Sequence, residues 1–154
     1  MLMDLIKARH SIRKYTEEQI SKEHLEKILE SGNYVSKEQP STIDDPTIKN
    51  GYYDAPTVVC VFCQDHFLFK TADAFCMMEN MILQATELGI ASCIISRGYK
   101  TFASEEGVKL MHEWGVPDGY TCQGFVILGY IDGKQPQSKP RKPGSFGLPD
   151  RTVK

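Results

Sequence analysis

Apolar residues in this chain recur either at spacings of three and four or in short unbroken runs. Leu25, Ile28 and Leu29 follow Ser21 at helical spacing, with Ser21 able to cap the segment and Gly32 a natural stop. The widest stripe, Met77, Met78, Met81, Ile82, Ala85 and Leu88, predicts a helix over Ala72 to Leu88, ended by Gly89. Ser104 caps a further helix through Leu110, Met111 and Trp114, stopped by Gly115 and Pro117. A shorter pattern, Leu2, Leu5 and Ile6, opens the chain, and Tyr15-Thr16 begins to set up another helical pattern. Unbroken apolar runs predict strands at Thr57 to Cys63, Ala91 to Ser96 and Thr121 to Tyr130.

Two stretches carry no such pattern. Asn33 to Pro56, with Pro40, Pro46, Gly51 and Pro56, reads as a long irregular loop of the kind that is often functional. Asp132 to Lys154 is polar and holds Pro136, Pro140, Pro143 and Pro149, which predicts an extended C-terminal arm or a disordered tail. Helices alternating with a few strands, without a repeat or second core, give an α/β (α+β) three-layer sandwich over 1–154. The methionine stripe belongs to its core or to a subunit interface.

A length of 154 residues suits one domain with a sizeable core. The net charge of -2 speaks against a nucleic-acid footprint, which needs a basic excess. No apolar run has the length of a membrane span, and the first residues lack a basic region followed by an apolar core, so the expectation is a cytoplasmic protein without a membrane partner. The five cysteines, an odd number set mostly in apolar stretches, read as reduced thiols. Cys60 and Cys63 form a CxxC inside a strand, where alternation sends them to opposite faces. The four histidines lack paired metal-ligand spacing, and no glycine-rich phosphate loop follows a strand.

The remaining chemistry concentrates in Arg9-His10-Ser11-Ile12-Arg13. A guanidinium is a planar fork of donors that matches phosphate oxygens, and serine adds a short donor beside it. Such a cluster at the end of a first helix reads as an anion seat or as a solvated charged turn. His10 with Ser11 is no hydrolase dyad, because neither a glycine-flanked nucleophile turn nor an orienting acid accompanies it.

Arg-His-Ser-x-Arg near the start, Asp54-Ala55-Pro56 entering Val58-Val59-Cys60-Val61, Leu88 to Ile95, and Val126 to Tyr130 followed by Lys139-Pro140-Arg141 fall in one order. In that order they resemble the nitroreductase family of flavin enzymes. The resemblance implies FMN, a homodimer, NAD(P)H as transient reductant, and hydride transfer to a small electron-poor acceptor such as a quinone or nitro compound. It implies a mixed central sheet and an arm that embraces the partner subunit.

Residue by residue, the resemblance assigns Arg9 to the FMN phosphate with His10 and Ser11 beside it. Arg13 falls nearer the ribityl and pyrimidine side, and Lys139 and Arg141 form a late basic pair returning to the phosphate. Ile95 and Ser96 would offer backbone groups to the flavin ring. Gln39, with Pro40, matches the end of the family's Ser-x-x-Asn-x-Gln-Pro segment, although the run from Ser36 is two residues short and lacks the asparagine. Between Pro40 and Asp54 a polar linker stands where the family has a further strand and helix. This implies an exposed pocket with weak selectivity, and leaves as the alternative a non-catalytic dimeric flavin-binding or degenerate scaffold protein.

Overall fold

A computed structural model describes residues 1–33, 41–43, 52–96 and 98–137 of the chain. The elements are α1 (Leu2–Ala8), α2 (Lys22–Asn33), β1 (Ser41–Ile43), β2 (Thr57–Gln64), α3 (Lys70–Glu87), β3 (Ala91–Ile95), α4 (Gly98–Thr101), α5 (Glu105–Glu113) and β4 (Tyr120–Gly129). The strands form one sheet in the order β1-β2-β4-β3.

β2 reads as an unbroken apolar run because both of its faces are covered. Val59, Val61 and Cys63 join α2 and α3 in one core, with Ile28, Met77, Met78 and Met81. Val58, Cys60 and Phe62 join Phe102, Trp114 and Phe125 in the other, beneath α4 and α5. The two faces give the helix–sheet–helix layering expected, and Cys60 and Cys63 part to opposite sides as alternation requires. Register runs Thr57↔Leu128 to Gln64↔Tyr120, with a bulge between Val61 and Phe62.

Local signals set the helix ends. The Ser21 hydroxyl accepts from the His24 amide at 3.2 Å, and the Ser104 hydroxyl accepts from the Gly107 amide at 3.1 Å. α3 closes at Gly89, whose φ of 73° is a left-handed conformation that glycine adopts without strain. The Ile90 amide then reaches back to the Ala85 carbonyl at 2.8 Å.

One open reading is decided, in favour of the core, and two expectations are corrected. Met77, Met78 and Met81 are 1, 0 and 0% exposed within the subunit's own core, so their side chains are unavailable to an interface. Burying each contributes roughly 1.5–3 kcal/mol. The stretch read as wholly irregular contains β1, which pairs antiparallel with β2 (Ser41↔Cys60, Ile43↔Val58). Tyr15-Thr16 starts no helix: Tyr15 bridges Ile131, the Thr16 amide donates to the Tyr130 carbonyl at 2.9 Å, and α2 begins only at Lys22.

All pairs among the four strands are antiparallel. The four-stranded sheet is thus antiparallel and not the mixed sheet expected; among the described residues the parallel pairing is confined to the isolated bridge Ser11↔Ser92, outside the strands, on the outer edge of β3. Among the described residues, no helix is long and apolar enough to cross a membrane.

Candidate functional site

The segment after α1 is held extended by backbone pairing. Arg9 leaves the helix at φ −66°, ψ 126°, and the Ile12 amide donates to the carbonyl of buried Ser92 at 3.0 Å. In an extended run alternate side chains share a side. Ile12 turns inward and is buried, whereas Ser11 and Arg13 are exposed and Arg9 is half-buried. Arg9, Ser11 and Arg13 therefore occupy one side of the run. Arg9 and Arg13 lie about 13 Å apart along it at about 3.3 Å per residue.

Two clamps follow. The Tyr15 hydroxyl donates to the Ile12 carbonyl at 2.8 Å, and the Asp132 amide donates to the Lys14 carbonyl at 3.1 Å. Burial pushes the Tyr15 phenol far above its ordinary range, Cys93 adds to that, and the charge of Arg13 opposes it. The phenol is thus a permanent donor at any working pH. Lys14 pairs with Asp132 at 3.3 Å.

Electrostatically the run stays cationic. Neither Arg9 nor Arg13 has a carboxylate partner among the described residues. Arg13 instead places its guanidinium carbon 5.6 Å from the centre of the Tyr53 ring. His10 has its Nδ1 2.8 Å from the Ala8 carbonyl, and Gln135 Nε2 donates to that same oxygen at 3.0 Å.

The structure brings Ser11 beside Ser92 at the start of β3, with Ile95 and Ser96 at the other end of the same strand. Ile95 is half-buried opposite Phe125, and Ser96 is exposed in the turn that follows. Gln39, Lys139 and Arg141 lie outside the described residues. Sequence reasoning missed Tyr53, Ser92 and Gln135. Asp54-Ala55-Pro56 was legible as a landmark, but nothing marked the tyrosine before it.

A cavity of about 70 Å³ lies under the run, lined by His10, Ile12, Ser92, Ile131 and Gln135 among others. It has room for water and none for an aromatic cofactor. Larger hollows of about 480 Å³, beside Leu5, Lys27 and Asn80, and about 240 Å³, beside Phe102, Met111 and Val116, are not lined by Arg9, Ser11 or Arg13. Arg13 is exposed and Arg9 half-buried at the surface of the chain.

This layering, with its extended basic segment on the edge of β3, is the nitroreductase fold. The chain is similar over 97% of its length to 98% of a nitroreductase with bound FMN from Bacteroides fragilis, at 28% identity and a TM-score of 0.86. A nitroreductase with bound FMN from Desulfitobacterium hafniense matches in fold (20% identity, TM-score 0.83, 96% of this chain and 98% of that one). An FMN-dependent nitroreductase from Clostridium difficile does so too (21%, 0.81, 96% and 99%). A family model described as a TM nitroreductase matches residues 1–143, and the chain belongs to that family. No curated protein sequence matches it.

The near-complete mutual coverage bears on the short region between Pro40 and Asp54. The Bacteroides fragilis protein binds FMN at nearly the same length.

Proposed function

We propose that the protein is an FMN-dependent oxidoreductase that passes hydride from NAD(P)H to a small electron-poor acceptor. The observation that carries the reading is the Arg9, Ser11, Arg13 face: three donors on one side of a clamped extended run, with no carboxylate paired to either arginine among the described residues. That donor set fits a long cofactor with an anion at one end and an electron-accepting edge further along. When bound, FMN supplies reversible hydride acceptance and delivery, the chemistry for which this chain offers no triad or metal cluster among its described residues.

In this reading Arg9 and Ser11 hold the phosphate, with Lys139 and Arg141 returning to it from the arm. Arg13 lies toward the ribityl and pyrimidine side, where a cation favours negative charge on the reduced ring. The Ile95-Ser96 turn and Gln39 border the ring. His10 acts one step away, holding the end of α1 through the Ala8 carbonyl.

The reading includes a homodimer. α1 buries none of its residues within the subunit, and Leu2, Met3 and Ile6 are 63, 57 and 47% exposed on it. A second copy would cover this apolar surface and close over arginines at the surface of one subunit.

The test is titration of the purified protein with FMN and, separately, riboflavin, followed by flavin fluorescence. Stoichiometric quenching with FMN preferred over riboflavin is expected, with anaerobic bleaching by a reduced nicotinamide. Protein that quenches neither flavin would overturn the reading. Stoichiometric binding without bleaching by either nicotinamide would leave a flavin-binding scaffold.

A further inference from the structure

Tyr53 and Asp54 follow one another at φ 54° and 53°, a left-handed conformation uncommon outside glycine and rarest for bulky side chains. The turn that imposes it is anchored from below. The Tyr52 ring stands edge-on to Phe125 at 5.0 Å and packs against the core. The Tyr52 carbonyl accepts from the Ala55 amide at 3.1 Å. With Tyr52 fixed inward, the left-handed step turns Tyr53 outward, 44% exposed, to meet the Arg13 guanidinium.

Arg13 is clamped on its own side by the Ile12–Ser92 and Lys14–Asp132 backbone bonds. Two hydrogen-bonded backbone segments, far apart in sequence, thus present one cation to one ring. An aromatic face restrains a guanidinium without neutralising its charge or occupying its in-plane donors. A carboxylate in that place would do both.

We propose that Tyr53 is a positioning residue for Arg13. It fixes the guanidinium against the turn so that its donor edge is already set for the ribityl and pyrimidine side of the cofactor. This rests on the reading of Arg13 given under Proposed function. The ring carries the role and the phenol oxygen does not, so phenylalanine should replace tyrosine. Asparagine, which tolerates the left-handed conformation, removes the ring while keeping the turn.

The test compares the parent protein with Tyr53→Asn and Tyr53→Phe by two measurements. The first is the ring-current shift of the Arg13 side-chain resonances in flavin-free protein, assigned with Arg13→Lys. The second is FMN affinity by fluorescence titration. Tyr53→Asn should move the Arg13 resonances toward free-arginine positions. It should also weaken FMN roughly two- to tenfold, the cost of ordering one flexible side chain on binding. Tyr53→Phe should retain both parent values. An Arg13 signal indifferent to Tyr53→Asn overturns the proposal, as does a signal that moves while FMN affinity stays at the parent value. Parent protein that takes up no FMN overturns the functional reading and this role with it. That case is told apart by an Arg13 resonance that still responds to the ring.

Discussion

Gln135 Nε2 donates to the Ala8 carbonyl at 3.0 Å, tying the beginning of the C-terminal arm to the last residue of α1. The same oxygen receives His10 Nδ1 at 2.8 Å, so a carbonyl left without a partner at the helix end is satisfied twice, one residue before Arg9. Gln135→Ala removes one of those donors. It should cost about 0.5–1.5 kcal/mol in denaturant unfolding and speed amide exchange at Arg9 and His10. Unchanged exchange at those two amides would mean that the bond does not hold the segment.

Arg9→Ala addresses the anion seat itself. Loss of a charge-assisted phosphate contact should weaken FMN by roughly 1.5–3 kcal/mol, about one to two decades in dissociation constant, with riboflavin little affected. Equal loss for both flavins would move Arg9 away from the phosphate.

Gly107 is needed for a close approach. A methyl group there would lie 2.6 Å from the Phe102 Cα and against the Thr101 carbonyl, both backbone atoms that cannot swing aside. Gly107→Ala should destabilise the protein by about 1–3 kcal/mol through this overpacking, although alanine is the better helix former. A rise in melting temperature would show that α4 yields freely.

The thiols should divide sharply by reactivity. Burial pushes Cys122 up to about 12 and raises Cys60 as well, and Cys63 and Cys93 are also buried, whereas Cys76 is exposed on α3. Thiolates react and thiols do not. One fast thiol at Cys76 is expected with a disulfide reagent at neutral pH, and the other four only on denaturation. Cys76→Ser should abolish the fast phase.

Asp65 gives the acid side of the stability profile. Lys70 Nζ at 2.8 Å and the Thr121 hydroxyl at 2.7 Å both donate to its carboxylate and, Lys70 first, hold it below the usual carboxylate range. A carboxylate depressed in the folded state stabilises fully above its unfolded value. That contribution fades as pH falls through the folded value. Asp65→Asn should therefore lower stability at neutral pH by at most about 1 kcal/mol, since the pair is partly exposed. The difference from the parent should shrink below about pH 4. A difference that persists undiminished at pH 2 would show that it is not electrostatic.

Much of the fold was written in side-chain spacing. The methionine stripe marked α3 because a helix facing a sheet must be apolar on one broad side, and β2 was unbroken because both faces are covered. Ser21 and Ser104 announced their helices through chemistry confined to three residues. β1 was illegible because three residues are too few for a period, and their partner in β2 lies beyond a long connection. The bare stripe could not say whether Met77 and Met81 face their own sheet or another subunit. The arrangement of α2 against α3 decided that.

At the site, Arg9, Ser11 and Arg13 were visible as residue types, and their common side followed only once Ser92 had fixed the segment as extended. Tyr53 gave no sign because its left-handed turn contains no glycine at either position.

The bridges Ser11↔Ser92 and Tyr15↔Ile131 also have a consequence for synthesis. The arginine segment is made before its partners, and it cannot take its extended form until β3, and then the residues beyond β4, have followed it. Contacts this distant in sequence close slowly and late. A nascent chain therefore carries this segment unpaired until the whole sheet has been made, and the side shared by Arg9, Ser11 and Arg13 is among the last features to form.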